Sequence, residues 1–122
     1  MNIVDSSVWL SYFANERSAQ FFAEPIQAFE SLLVPSITLT EVFKAVARRR
    51  DEHSATEVVT QMRRGRVIDL DAILAVQAAE HGLQYRLPLA DSIIYATARR
   101  YDATLWTQDA DFRDLPGVRF YS

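Results

Sequence analysis

A chain of 122 residues, 49% of them hydrophobic, has enough apolar material for one compact domain and leaves little room for two. Three glycines and four prolines exclude a fibrous or disordered composition; the lack of cysteine excludes disulfides and thiolate metal sites and fits a reducing cytoplasm. No apolar run approaches the ~18–20 residues of a membrane span, no basic-then-apolar leader opens the chain, and a formal charge of −3 does not by itself announce a nucleic-acid binder.

In chain order, Asn2–Val4 reads as a strand, Ser7–Phe13 as a short helix and Ala19–Phe29 as a second one. Leu32–Val34 is a short apolar run ahead of Pro35 and predicts a buried strand. From Ser36 to Arg50 the spacing of Leu39, Val42, Phe43, Val46 and Ala47 makes one apolar helical face. Ser54–Arg64 is helical again, with Gly65 suited to its C-terminal cap. Val67–Leu70 is a strand, Ala72–His81 an alanine-rich helix ending at Gly82, and Pro88 opens a helix running to about Tyr101. Thr104–Thr107 and Val118–Tyr121 are the last strands, the second entered through a turn at Pro116-Gly117. Strands alternating with longer helices predict a single three-layer α/β/α domain over residues 1–122, its central sheet mainly parallel and of about five strands. In such sheets ligands bind beyond the carboxyl ends of the strands, where the strand order reverses.

Acids gather at those ends. Asp5 closes the first strand, which places it at the crevice rather than inside the core. Asp109 and Asp111 follow the strand TLWT and share a period of two with its last residue, Thr107, so an extended backbone points them the same way; a plain polar loop is the competing reading. Asp91 lies in the first turn after Pro88, where an acid suits the helix dipole, yet it shares the inward face of Ile94, Tyr95 and Ala98. Glu41 closes the run TLTE and reads either as the return arm of a capping box with Thr38 or as a member of the same group. Carboxylates converging within a few ångströms repel and raise one another's pKa. A hard divalent cation relieves this, and an oxygen-only donor set points to Mg²⁺ or Mn²⁺. His53 and His81 have no metal-ligand spacing and read as surface residues.

With Asp5, Glu41, Asp91, Asp109 and Asp111 set aside, eleven acids face thirteen bases, so the remaining surface is mildly basic. Twelve of the bases are arginine, clustered at Arg48-Arg49-Arg50, Arg63-Arg64-Arg66 and Arg99-Arg100. They read either as solvated helix ends or as phosphate contacts, with Arg48–Arg50 and Arg99-Arg100 the candidates for such contacts. An acidic metal pocket on an arginine-studded surface suits a polyanion whose phosphate reaches the metal.

These stretches (VDSSVWL, PSITLTEV, PLADSIIYATA and LWTQDADF, in that order) resemble the PIN-domain family, and within it the VapC-type toxins of toxin–antitoxin pairs. The resemblance covers essentially the whole chain. It implies that Asp5, Glu41, Asp91 and Asp109 form the acidic quartet, supported by Ser6, Thr107 and Asp111. It implies a metal-dependent endoribonuclease in which Asp5, Asp91 and Asp109 hold Mg²⁺ and Glu41 orients the attacking water or binds a second ion. Cleavage would leave a 5′-phosphate and a 3′-hydroxyl. No histidine stands where it could activate Ser6 or Ser7 as a nucleophile. The resemblance further implies a cytoplasmic protein, a VapB-type antitoxin whose tail sets an arginine in the pocket, and a homodimer. Trp9, Tyr12, Phe13, Phe21 and Phe22 either form a groove for a partner helix or belong to the core.

Three other readings share parts of this pattern. A receiver-type Mg²⁺-binding phosphoacceptor needs a lysine near the last strand, and the sole lysine is Lys44. A haloacid-dehalogenase-type phosphatase needs its Asp-x-Asp motif after the first strand, not near the C-terminus. A non-catalytic RNA-binding PIN domain would use the same pocket without cleavage.

Overall fold

A computed structural model describes residues 1–122. The strands are β1 (Asn2–Val4), β2 (Leu33–Pro35), β3 (Arg66–Ile68), β4 (Thr104–Thr107) and β5 (Val118–Phe120). The helices are α1 (Ser6–Phe13), α2 (Ala19–Gln27), α3 (Ser36–Arg49), α4 (Glu52–Met62), α5 (Ala72–Tyr85) and α6 (Leu89–Arg100). Every strand pairing is parallel. The five strands do not form one continuous ladder, however. β1, β4 and β5 make a three-stranded sheet in the order β1-β4-β5, β2 and β3 make a two-stranded one, and a single parallel bridge, Asn2 to Leu32, joins them. This corrects the expectation of one sheet of about five strands. With only three or four residues per strand, few ladder bonds are available to hold the junction.

Alternation along the strands builds the layers. Ile3, Leu33 and Leu105 point to one face and pack with Ile94, Tyr95, Ala98 and Phe112. Their neighbours Val4, Leu32, Val34 and Trp106 point to the other and pack with Val8, Trp9, Phe22, Val42 and Met62. α6, with α5 against its back, therefore covers one side, and α1 to α4 cover the other. The chain runs from β1 to β2 in one direction and returns to place β4 on the opposite flank of β1, so the strand order reverses at β1/β4.

Local chemistry sets the boundaries. Asp51 and Asp71 cap α4 and α5 by accepting from the Ser54 and Leu74 amides at 2.7 and 2.8 Å. α2 runs through Pro25 and stops at Gln27 rather than Phe29, because Ala28 leaves helical dihedrals (ψ 57°) and Phe29–Ser31 forms a separate 3₁₀ turn. Two glycine readings are corrected. Gly65 does not cap α4 in a left-handed conformation; a Cβ there would lie 2.9 Å from both the Leu32 carbonyl oxygen and Val34 Cγ2, so glycine lets the chain pass close to β2. α5 continues through Gly82 to Tyr85, and Arg86 takes the left-handed position (φ 56°) instead. No helix is long and apolar enough to cross a membrane.

Candidate active site at the carboxyl edge

Asp5 stands immediately after β1, and its amide still donates to the Trp106 carbonyl of β4 at 3.3 Å. That register sets Asp5 beside Thr107, the last residue of β4. The side chain is 3% exposed, so it forms the floor of the crevice and is buried, where the sequence placed it outside the core. Three donors make this tolerable. Oδ1 accepts from the Val8 amide at 3.0 Å, which makes Asp5 the N-cap of α1, and from Ser7 Oγ at 2.8 Å. Oδ2 accepts from Thr107 Oγ1 in a short hydrogen bond. Burial nevertheless pushes the Asp5 carboxyl above its ordinary value; the three donors oppose that shift and the charge of Asp109 adds to it.

Asp109 follows β4 on the same edge. Its amide donates to Thr107 Oγ1 at 2.9 Å, so one buried hydroxyl ties Asp5 to Asp109. Asp111 arrives by a different route from the one its spacing implied. Ala110–Phe112 forms a 3₁₀ turn rather than extended chain, and Asp109 caps it by accepting from the Asp111 amide at 2.9 Å. The turn brings Asp111 back beside Asp109. Asp91, half-buried in the first turn of α6, completes a trio: one oxygen from each of Asp91, Asp109 and Asp111 lies within 4.8 Å of the others. The Asp91 carboxyl is pushed up from 3.8 to about 7, first by burial and then by the charges of Asp109, Asp5 and Asp111. Asp5 borders this trio electrostatically without belonging to it.

Glu41 lies on α3, inside the second turn. The capping-box alternative is not what forms: Thr38 Oγ1 donates to the Pro35 carbonyl at 2.7 Å and α3 has no side-chain cap. Glu41 Oε1 instead accepts a short hydrogen bond from Ser6 Oγ. Ser6 adjoins Asp5, so Glu41 is tethered one residue from the crevice floor. Three acids thus converge at the β1/β4 switch point, with Asp5 beneath them through Thr107 and Glu41 held alongside by Ser6.

A scan against family models matches the PIN domain over residues 3–118. The chain belongs to the PIN-domain family. The solved structures similar to this PIN domain include a toxin–antitoxin complex from Klebsiella pneumoniae (TM-score 0.81, 23% identity, 98% of this chain and 96% of that one). Others are VapBC2 from Rickettsia felis bound to a promoter DNA fragment (0.77, 16%, 99% and 98%) and the sarcin–ricin-loop-cleaving toxin VapC20 from Mycobacterium tuberculosis (0.73, 19%, 92% and 92%). A search of curated proteins matched none. At these identities the structural likeness establishes the fold. Family membership displaces the receiver-type and haloacid-dehalogenase-type readings.

The arginine candidates are not brought to the pocket of this PIN domain. At 1.5 Å per residue, Arg49 lies about 12 Å along α3 from Glu41, and Arg48–Arg50 are exposed at that far end. Arg99 and Arg100 end α6, at the opposite end from Asp91, and Arg100 is held by Asp71 at 2.9 Å. Of the aromatic set, Trp9, Tyr12 and Phe13 line a cleft of about 280 Å³ with Ile26, Phe29 and Leu32, apart from the acids. Phe21 and Phe22 pack instead on Tyr121. His53 is an exposed partner of Glu57 at 3.0 Å. His81, read as a surface residue, is half-buried, stacked on Tyr85 and edge-on to Tyr95. Ser7 is the site residue that sequence reasoning passed over. Its signal was present, since a serine two residues past a helix-capping aspartate can turn its hydroxyl back on the carboxylate.

Proposed function

We propose that this protein is an endoribonuclease dependent on Mg²⁺, with Mn²⁺ able to substitute, and that it is the toxin of a VapBC-type toxin–antitoxin pair. The observation that carries this reading is the carboxylate trio with an Asp91 carboxyl pushed to about 7. A half-buried carboxyl pushed up first by burial and then by its acidic neighbours, within an oxygen-only donor set, fits a hard divalent cation, and no lysine or arginine is paired with any of the five acids. Asp91 and Asp109 are the natural ligands, joined by Asp5, whose Oδ2 keeps a free lone pair, and by Asp111. A cation held there supplies positive charge to a scissile phosphate and lowers the pKa of water. The chain's own groups do the rest. Thr107 fixes Asp5 and Asp109 relative to each other. Ser6 aims Glu41, which orients the attacking water. The products are a 5′-phosphate and a 3′-hydroxyl.

The same reading assigns a VapB-type antitoxin as partner, in the cytoplasm where its RNA substrate is found. The cleft beside Trp9 suits an apolar helix, and the acid pocket suits a guanidinium in place of the ion. A homodimer is supported by the outer face of α5, where Ile73, Val76 and Leu83 are 67%, 63% and 84% exposed and Glu80 is the only charge. An antiparallel second copy sets Ile73 against Leu83 and the Asp69 end against Arg86, and gives an apolar centre for a two-fold interface of ordinary size, about 800 Å² per partner.

The test is cleavage of a mixed RNA substrate by purified protein with Mg²⁺, Mn²⁺ or EDTA, with the ends mapped. Asp5→Asn and the half-exposed Asp109→Asn should both lose cleavage while keeping the circular-dichroism spectrum of wild type. Cleavage that persists in EDTA, or an Asp109→Asn protein as active as wild type, removes the assignment.

A further inference from the structure

We propose that Arg113, which neither composition nor spacing singles out, seats the RNA backbone phosphate beside the acid pocket. The inference rests on the ribonuclease reading and names the group that holds that substrate. Arg113 follows the 3₁₀ turn directly and is exposed, two residues beyond Asp111 of the carboxylate trio. Its guanidinium lies over the Phe120 ring, 5.2 Å from the centroid. Phe120 pairs with Thr107 in the β4–β5 register, and Thr107 is the hydroxyl bonded to Asp5. The platform under Arg113 is therefore locked to the crevice by two adjacent strands.

Electrostatics alone would have this side chain fold onto Asp111 and Asp109 and be neutralised. It does not: the ion pairs of the molecule are His53–Glu57 and Arg100–Asp71. Stacking on Phe120 keeps the cation off the carboxylates and leaves its forked donors free. A phosphate nearing the carboxylate trio meets repulsion, and a guanidinium resting on Phe120 beside it supplies the offsetting charge and a bidentate grip. The clustered arginines do not fill this role. Arg48–Arg50 lie at the far end of α3, and Arg100 is spent on Asp71.

Cleavage kinetics and RNA binding separate this from a structural role. Arg113→Gln should raise KM for a single-stranded RNA about tenfold with kcat within about twofold of wild type. It should also lower the slope of log Kd against log salt by about 0.7, one contact on a single strand. Arg113→Lys should restore the salt slope and part of KM, Phe120→Ala should give an intermediate KM, and Arg49→Gln should match wild type. An Arg113→Gln protein with wild-type KM and salt slope overturns the inference while the ribonuclease reading stands. A fall in kcat at unchanged KM overturns it as well. Wild-type protein that neither binds nor cuts RNA overturns both.

Discussion

Replacing Asp91 by Asn removes one charge from the acid pocket at almost no change in shape, and its effect on the metal-free protein can be worked through. Moving a carboxyl from 3.8 to about 7 corresponds to about 4 kcal/mol at 1.36 kcal/mol per pH unit. Asp91 is only half-buried, and solvent screening reduces this to about 1–2 kcal/mol. The sign follows from linkage. The folded protein holds the proton more tightly than the unfolded chain does, so wild type has its full stability below pH 3.8 and loses this contribution as the pH rises towards 7. The Asn side chain does not titrate. The two proteins should therefore melt together near pH 4, and above pH 7 the variant should melt higher by about 4–8 °C for a chain of this length. The assay is thermal melting in EDTA from pH 4 to 8.5, read as the difference between the two curves so that contributions common to both proteins cancel. Adding Mg²⁺ at pH 8 should reverse the order, since ligand at a hundred times its Kd stabilises wild type by about 2.7 kcal/mol and the variant has lost a ligand. A difference independent of pH, or a wild type more stable than the variant above pH 7 in EDTA, would refute the argument that burial and neighbouring charge disfavour an ionised Asp91.

Thr107→Val deletes the hydroxyl shared by Asp5 and the Asp109 amide. It should cost about 2–3 kcal/mol by chemical denaturation. It should also move the acid limb of the pH–rate profile upward, because the lost hydrogen bond is one that holds the Asp5 carboxyl down. Gly65→Ala drives a methyl to 2.9 Å from the Leu32 carbonyl and Val34, far from the acids. It should destabilise by about 1–3 kcal/mol with unchanged specific activity of the folded fraction. Leu83→Glu, on the outer face of α5, should convert the dimer to monomer in analytical ultracentrifugation without lowering the melting temperature of the dilute protein. A wild type already monomeric at micromolar concentration refutes the two-fold interface.

Much of the architecture was legible because it depends on local alternation. Ile3-Val4, Leu33-Val34 and Leu105-Trp106 each send one side chain to either core, and that is readable one strand at a time. The helix boundaries missed at Ala28 and Gly82 lie where backbone dihedrals and packing against Ser92 decide, and composition does not report these. Among the acids, Asp5 announced itself by closing a strand and Asp91 by sharing the inward face of its helix. Glu41 had two local readings of equal chemistry, and the choice between them turned on a serine 35 residues away. Asp111 was expected through a period of two and arrived through a 3₁₀ turn.

By itself, the order of residues determined which segments become strands and helices and that acids follow the strands, since both depend on neighbours within a turn or two. Only the tertiary structure decided that Thr107 bonds a carboxylate 102 positions away, that three aspartates share one point, and that Arg113 rests on Phe120 instead of on an acid. Those outcomes depend on burial and on charge at short range, and both come into being when distant segments are packed together.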